Sequence, residues 1–257
     1  MKKFKSIYLL VLALSMGCGK GEVVAPEAKP DEPVIENPAP DQNLFYKLVR
    51  VQNFKGDTTN SDHTSSKASL FYSLEQNLPR TDKYEKTRAW DIAFGGLYAS
   101  FMSGNNGANS KNHGSGTKAE GGILILKQAF NDVVDVPSDD QFQTASDLYG
   151  TDIAGDYGEG TGWYLYDFGG TFVRDGAYDN MHIAYALGSA LTLKSGTVIP
   201  ARTLVVRTAN GHYAKIKMIS VYKDRFSAEQ WFRTTPHMYF TFEYVMVPKG
   251  AKKFEIK

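Results

Sequence analysis

The sequence predicts an all-β fold, mainly antiparallel sheet and sandwich-like, with one or two short helical turns. Most segments after residue 43 alternate polar and apolar side chains, or form short apolar runs between clusters of Gly, Asn and Ser. Such patterns are typical of strands and turns. Asn210-Gly211 separates two of these runs, which predicts a β-hairpin. The chain also holds 15 Tyr and 15 Phe, and aromatic residues favour sheet faces.

The predicted elements follow in chain order. Strands are expected at residues 48–54, 68–74, 89–94, 97–102, 123–127, 202–209, 212–222 and 238–247. Residues 103–122 form a long loop rich in Gly, Asn and Ser, and residues 132–162 are acidic and mostly loop. Short helical turns are expected within residues 141–148 and 227–233.

The hairpin and the last strand carry the most detailed expectations. Asn-Gly suits a type I′ turn because both residues tolerate positive φ. In the second hairpin strand Lys215 and Lys217 flank Ile216. The face that carries the lysines is therefore expected to be exposed to solvent and the opposite face to be buried. One side of the last strand would carry three aromatic rings: Phe240, Phe242 and Tyr244.

The N-terminus has the features of an export signal. Three lysines precede a short apolar run at residues 7–14, which is the order that a signal peptide over residues 1–17 requires. The run is shorter than the roughly 20 residues that cross a bilayer. Residues 14–18 resemble a lipobox, so Cys18, the only cysteine, is the predicted site of lipid attachment. A single cysteine forms no intramolecular disulfide.

A tether and one domain are predicted behind the anchor. Residues 18–42 hold five prolines and no aromatic residue, a composition that stays extended and spaces a domain from the lipid surface. Residues 43–257 then form one domain. The formal net charge is +1, which gives no case for nucleic-acid binding. The expected location is the outer membrane, lipid-anchored at the cell surface, with the periplasmic face as the alternative.

Enzyme signatures are missing from the sequence. It holds no Gly-x-Ser-x-Gly elbow, no phosphate-binding glycine loop and no His-Glu-x-x-His zinc motif, so no catalytic activity is predicted. Four acids lie close together, Asp147, Asp152, Asp156 and Glu159, but their order does not match an EF-hand loop.

Two histidines are candidate ligands. His182 follows Met181 in a stretch rich in Tyr and Gly, and an imidazole or thioether beside aromatic rings could ligate haem iron. The alternative is that His182 is an ordinary strand residue. His113 lies in the Gly/Asn/Ser loop, where a histidine is either a ligand or an ordinary loop residue.

Four segments in a fixed order carry a family resemblance. They are residues 87–94, the loop that ends at Gly121-Gly122-Ile123, the strand Gly162-Trp163-Tyr164, and residues 199–222. Together they resemble the HmuY-type haem-binding lipoproteins of Bacteroidetes, over residues 45–247. The resemblance implies an all-β domain that holds haem between two axial ligands and passes it to a TonB-dependent outer-membrane receptor.

The chain departs from the family pattern at the ligands. The resemblance places one ligand before the Gly-Trp strand and the other shortly after Trp163. Residues 128–162 hold neither His nor Met, and residues 164–168 hold no standard ligand. The remaining candidates are Met181, His182, Tyr149, Tyr157 and His113.

Two functions therefore remain open. The first is a membrane-anchored haem-binding lipoprotein with Met181 or His182 as an axial ligand. The second is a non-haem binding module on the same scaffold, which would recognise a protein or glycan through residues 103–122 and 178–185.

Overall fold

Two antiparallel sheets and two hairpins form the fold in the computed structural model, which describes residues 36–58 and 66–257. The predicted signal peptide, Cys18 and the tether up to residue 35 lie outside the described residues. Helical structure in the described part is limited to short 3-10 turns at Gln42–Leu44, Asp82–Tyr84, Asp139–Gln141, Tyr178–Asn180 and Ala228–Gln230. The predicted all-β, mainly antiparallel class is confirmed. Within the described ranges, no helix has the length and apolarity needed to cross a membrane.

The strands divide between the two sheets and the hairpins. The larger sheet contains β1 (Leu48–Lys55), β6 (Gly122–Leu126), β11 (Thr203–Arg207), β12 (Tyr213–Tyr222) and β13 (His237–Val247), in the order β1-β13-β12-β11-β6. The smaller sheet contains β2 (Leu70–Ser73), β3 (Leu78–Arg80), β4 (Ile92–Gly95) and β5 (Phe101–Gly104), in the order β3-β2-β4-β5. The hairpins pair β7 (Tyr164–Asp167) with β8 (Ile183–Ala186), and β9 (Leu191–Thr192) with β10 (Val198–Ile199).

Aromatic rings from the two sheets meet in the main core. The ring of Phe240 on β13 lies 4.5 Å from that of Phe94 on β4, and Phe242 lies 5.6 Å from Tyr72 on β2. Both phenylalanines and Tyr244 are fully buried, which confirms that these three side chains share the inner face of β13. Burying a ring of this size stabilises the fold by about 1.5–3 kcal/mol. The packing of these aromatic rings is therefore the main interaction that holds the two sheets together.

The β11–β12 hairpin is confirmed, but its turn differs from the prediction. Thr208 N donates to His212 O at 2.8 Å, and Gly211 N donates to Thr208 O at 3.0 Å. Gly211 has φ +84°, whereas Asn210 is not among the residues with positive φ. The turn is therefore a three-residue loop with a glycine bulge rather than type I′. Asn210 instead donates its side-chain amide to Glu75 Oε2 at 2.7 Å, a contact that the local sequence cannot reveal.

The prediction of one wet face on β12 is wrong at Lys215. Its side chain is buried, and Nζ donates to the carbonyl oxygens of Phe130 at 2.8 Å and Val133 at 2.9 Å. A second apolar cluster covers this face of the sheet: Val133, Phe142, Val205, Tyr213, Val247 and Phe254. The burial lowers the pKa of Lys215. Lys217, the next lysine on that face, is only half-buried.

Two other predicted elements have different bounds. Strand β5 begins at Phe101 rather than residue 97 because Tyr98 and Ala99 adopt positive φ and form a turn. The helical turn expected within residues 141–148 is wrong, since the 3-10 turn ends at Gln141 and Gln143 forms a backbone bridge with Ile123. The helical turn expected within residues 227–233 is a single 3-10 turn, Ala228–Gln230.

Buried amides hold the long Gly/Asn/Ser loop in place. Asn105 Nδ2 donates to the carbonyl oxygens of Thr87 at 3.0 Å and Trp90 at 2.8 Å, and Asn112 Nδ2 donates to Gly104 O at 2.8 Å. Both amides are almost fully buried. Because a buried amide is costly to leave unbonded, these contacts fix the loop against the smaller sheet.

A buried carboxyl joins the smaller sheet to the β11–β12 turn. Asp91 Oδ2 accepts from Glu75 N at 3.0 Å and Ser73 Oγ at 3.3 Å, and Oδ1 accepts from Ala209 N at 3.0 Å. Burial, followed by the charge of Glu75, raises the pKa of Asp91 to about 8. Asp91 therefore keeps its proton in the folded protein at pH values where an exposed aspartate has lost it.

This raised pKa predicts that Asp91 stabilises the fold less as the pH rises. The folded chain holds a proton on Asp91 up to about pH 8, whereas an unfolded chain releases it near 3.9. The contribution is fully present below about pH 4 and falls by up to about 1.4 kcal/mol per pH unit towards pH 8. Glu75→Gln removes the neighbouring charge, so the variant should lose less stability over this window than the wild type.

Urea unfolding at several pH values across this range measures how the free energy of unfolding of each protein changes with pH. Glu255→Gln, at an exposed site far along the chain, controls for the loss of one carboxylate. If the free energy of unfolding changes with pH identically in the wild type and in Glu75→Gln, the charge of Glu75 does not raise the pKa of Asp91.

Candidate functional site

Three aromatic residues on one face of β7 lead from the core to the protein surface. Tyr164 is buried, with its hydroxyl 2.9 Å from Ser100 Oγ. Tyr166 is half-buried, and Phe168, just beyond the strand, is 42% exposed. The row follows from the two-residue period of a strand, so the outer end of the β7–β8 hairpin presents aromatic rings to solvent.

His182 lies opposite the outer end of this row. Its N–H donates to Phe168 O at 3.1 Å, and the two rings are 4.5 Å apart between centroids. The Nδ1 atom lies 2.9 Å from the Tyr166 hydroxyl. His182 has φ +59°, a conformation that histidine adopts more readily than most residues. The hairpin thereby fixes the imidazole against two aromatic side chains.

Tyr157 completes the group from a separate loop. Its ring lies 5.8 Å from Phe168 and 6.2 Å from Tyr166, and its side chain is 73% exposed. We call Tyr157, Tyr166, Phe168 and His182 the His182 cluster. It combines an imidazole, two phenols and an apolar ring at one exposed end of the domain.

A buried ion pair holds the loop that carries Tyr157. Asp152 Oδ2 accepts from Arg202 Nη2 at 2.8 Å and from Nε at 3.0 Å, and both side chains are almost fully buried. The same carboxylate accepts from the backbone N–H groups of Ala154 and Gly162, each at 3.0 Å. Both ends of the loop are thereby tied to the residue that precedes β11.

A second acid connects this loop to the hairpin. Asp156 N donates to Tyr166 O at 2.8 Å, and Asp156 Oδ2 accepts from Phe168 N at 2.8 Å. The residue next to Tyr157 therefore bonds to the same strand end that carries Tyr166 and Phe168. This explains why rings from two distant chain segments meet.

The Tyr166 phenol is protonated at neutral pH. Burial raises its pKa above the usual range, and the nearby tyrosines Tyr98, Tyr164 and Tyr157 add to this effect. Arg233 opposes the shift, which places its positive charge within electrostatic reach of the cluster. The phenol hydroxyl can donate a hydrogen bond to Nδ1 of His182 or accept one from it, and either bond orients the imidazole ring.

The other sequence-predicted ligands have different surroundings. Met181 is half-buried and directly precedes His182, at the end of the turn Tyr178–Asn180. His113 packs on the rings of Phe71 and Trp90, with Nε2 3.5 Å from Asp147 Oδ1. None of these His113 contacts belongs to the His182 cluster.

The four neighbouring acids and Tyr149 also fall outside the cluster. Tyr149 N donates to Met102 O at 3.2 Å, in a bridge to β5. Asp152 and Asp156 serve the structural contacts described above. Among residues 36–58 and 66–257, no three His, Cys, Asp or Glu side chains are grouped to hold a bare metal ion.

Sequence reasoning missed Tyr166 and Phe168 as parts of the site. Residues 164–168 hold no His or Met, the side chains expected to ligate haem iron. The alternation of Tyr164, Tyr166 and Phe168 was the available signal, because side chains two apart share one face of a strand.

Comparisons with known proteins identify relatives. The family model described as HmuY protein matches residues 65–244. No curated protein matches the chain. Similar solved structures include a protein of Bacteroides fragilis described as a lipoprotein, which is 13% identical, with 82% of this chain and 95% of that chain covered and a TM-score of 0.32.

Two further solved structures are similar to the chain. A Bacteroides vulgatus protein described as HmuY-like and haem-binding is 14% identical, with 80% and 93% coverage of the two chains and a TM-score of 0.32. The apo HmuY analog of Tannerella forsythia is 14% identical, with 79% and 96% coverage and a TM-score of 0.31.

The buried Asp152–Arg202 pair predicts an unequal cost for two arginine substitutions. Arg202→Met leaves the Asp152 carboxylate buried without its partner, so the free energy of unfolding should fall by about 3–5 kcal/mol. Arg207→Met, at the far end of β11, is the matched control, because Arg207 pairs with the exposed carboxylates of Glu120 and Asp139. Its expected cost is under about 1 kcal/mol. Urea unfolding measures both, and equal losses would contradict the assigned role.

Proposed function

This chain belongs to the HmuY family, and we propose that its domain binds haem at the His182 cluster. The observation that carries the proposal is the meeting of an imidazole with exposed aromatic rings at the end of the β7–β8 hairpin. His182 contacts Phe168 and Tyr166, and Tyr157 joins them from another loop. Family membership supports haem as the class of ligand, and the side chains of the cluster support this place for it.

The cluster has the chemistry that haem requires. Haem offers a flat apolar macrocycle, an iron that takes axial ligands, and two carboxylates. The rings of Tyr157 and Phe168 are largely exposed, and exposed aromatic faces lose contact with water favourably when a flat apolar molecule covers them. His182 provides an imidazole in the same group of side chains.

We assign His182 the role of axial ligand. In this role Nδ1–H would donate to the Tyr166 hydroxyl oxygen, which lies 2.9 Å away, so that the unprotonated Nε2 is the ligating atom. Met181, the neighbouring thioether, is the alternative ligand, and Tyr157 is the candidate phenol ligand. His113 is left out of the proposal because its contacts are with Phe71, Trp90 and Asp147.

The wider role that we propose is haem capture without catalysis. Cys18 would carry lipid that anchors the chain in the outer membrane, with the domain at the cell surface. Haem would then pass from the His182 cluster to a TonB-dependent receptor in the same membrane. The lipobox-like residues 14–18 and the family membership support this part of the proposal.

Haem titration of the full-length chain in detergent tests the binding site. We expect a Soret band that saturates at one equivalent in the oxidised and reduced states. His182→Ala should weaken binding by more than about tenfold, and Tyr166→Phe by about tenfold, because partners that orient a ligand contribute 10–100-fold to affinity. His113→Ala is the matched control and should bind as the wild type does.

Two results would overturn this proposal. If the double variant Met181→Ala, His182→Ala binds as the wild type does, the site lies elsewhere. A featureless absorbance rise that does not saturate would remove haem as the ligand and turn the search to protein or glycan partners.

Fractionation of cells tests the anchor. The wild-type chain should remain with the membranes and incorporate labelled fatty acid, whereas Cys18→Ser should do neither, since acyl chains contribute about 0.8 kcal/mol per buried methylene to membrane binding. Glu27→Gln, in the predicted tether and outside the lipobox-like residues, is the control. Membrane retention and labelling of Cys18→Ser would show that the anchor is not at this cysteine.

A further inference from the structure

A stacked arginine lies next to the His182 cluster. Arg233 N donates to Asp179 O at 2.8 Å, which ties its segment to the turn Tyr178–Asn180. The Arg233 guanidinium lies over the ring of Tyr178, with Cζ 4.3 Å from the centroid. That turn leads directly into Met181 and His182. The guanidinium is therefore held at the edge of the proposed site by both a backbone bond and a ring.

Other arginines of the domain have partners for their guanidinium groups. Arg50, Arg202 and Arg207 each pair with a carboxylate. Arg174, which also stacks on an aromatic ring, donates to Asn180 Oδ1 at 2.9 Å and to Ala228 O. These donors are used in holding the fold together.

Arg233 differs because its donors are not used within the described part of the chain. It is half-buried, and there its guanidinium has no ion pair and no hydrogen bond, only the contact with Tyr178. Its charge nevertheless reaches the cluster, since it partly offsets the rise that burial causes in the pKa of Tyr166. A planar fork of N–H donors matches the two oxygens of a carboxylate, and the stacking reduces the freedom that binding would cost.

We propose that Arg233 is the carboxylate-binding group of the site, pairing with a propionate of the haem held by the His182 cluster. This inference rests on the proposed function and adds the recognition of the ligand's acidic edge. The Tyr178 ring orients the guanidinium, and the Asp179–Arg233 backbone bond sets its distance from His182. Arg233 is then a residue that selects acidic porphyrins over neutral ones.

Paired porphyrin titrations separate carboxylate recognition from iron ligation. The full-length chain in detergent is titrated with iron-free protoporphyrin IX and with its dimethyl ester, and binding is followed by porphyrin fluorescence. The wild type should bind the diacid about tenfold more tightly than the diester, the scale of one charge-assisted hydrogen-bonded pair. Arg233→Gln should remove this preference by weakening only the diacid. Arg233→Lys should restore part of it, because a lysine keeps the charge but not the fork.

Arg225→Gln is the control for the change of net charge. Arg225 is exposed, and its guanidinium donates to Asp224 O at 3.0 Å, so this variant should keep the wild-type preference. Equal binding of diacid and diester by the wild type would overturn the inference. Equal weakening of both porphyrins in Arg233→Gln would also overturn it, because Arg233 would then act only through the fold.

Haem itself, titrated in parallel, distinguishes this failure from failure of the proposed function. Saturating haem binding without any acid preference would leave the His182 site standing and remove Arg233 from it. No binding of haem or of either porphyrin would remove both.

Discussion

Buried carboxyl groups that accept hydrogen bonds from backbone N–H groups are the constraint on which the rest of this structure depends. Asp91 is the central case, because it bonds to the end of β2 through Glu75 N and to the β11–β12 turn through Ala209 N. One carboxyl therefore connects the two sheets at a place where no strand pairing does. A buried N–H without an acceptor costs more free energy than an ordinary hydrogen bond contributes. The loops therefore take positions that bring their N–H groups to the carboxyl oxygens.

Buried acids also hold the segments around the His182 cluster in place. Asp152 accepts from the loop around it and from Arg202, and Asp167, at the end of β7, accepts from the N–H groups of Thr171 and Phe172 at 3.0 Å. These acids organise long irregular segments that contain little regular structure of their own. Tyr157 and Phe168 therefore lie on irregular segments that are fixed by polar bonds, whereas Tyr166 lies on β7 and is held by its pairing with β8.

This arrangement suits a binding protein. The buried rings of Phe94 and Phe240 pack between the two sheets and stabilise the fold, whereas Tyr157 and Phe168 remain exposed. The candidate ligand His182, its orienting partner Tyr166 and the stacked Arg233 come from three different segments. In the proposed function these residues would supply an apolar face, an iron ligand and a cation, which are three separate requirements of one amphipathic cofactor.

The sequence by itself determined the elements whose signal is local. Alternation identified β1, β12 and β13, the Asn210-Gly211 pair placed the hairpin, and the ordered segments around Trp90 and Trp163 indicated the family. His182 and Tyr157 also emerged as candidates, because their residue types carry the chemistry.

Only the tertiary structure decided the features that depend on distant contacts. It buried Lys215 under residues from a different segment, changed the turn at Asn210 by giving its amide a partner in Glu75, and placed His113 against Phe71 instead of the site. It also brought Tyr166 to His182 and Arg233 to the ring of Tyr178. The physical reason is that strand periodicity fixes which face a side chain occupies, whereas loop packing and buried polar bonds decide what covers that face.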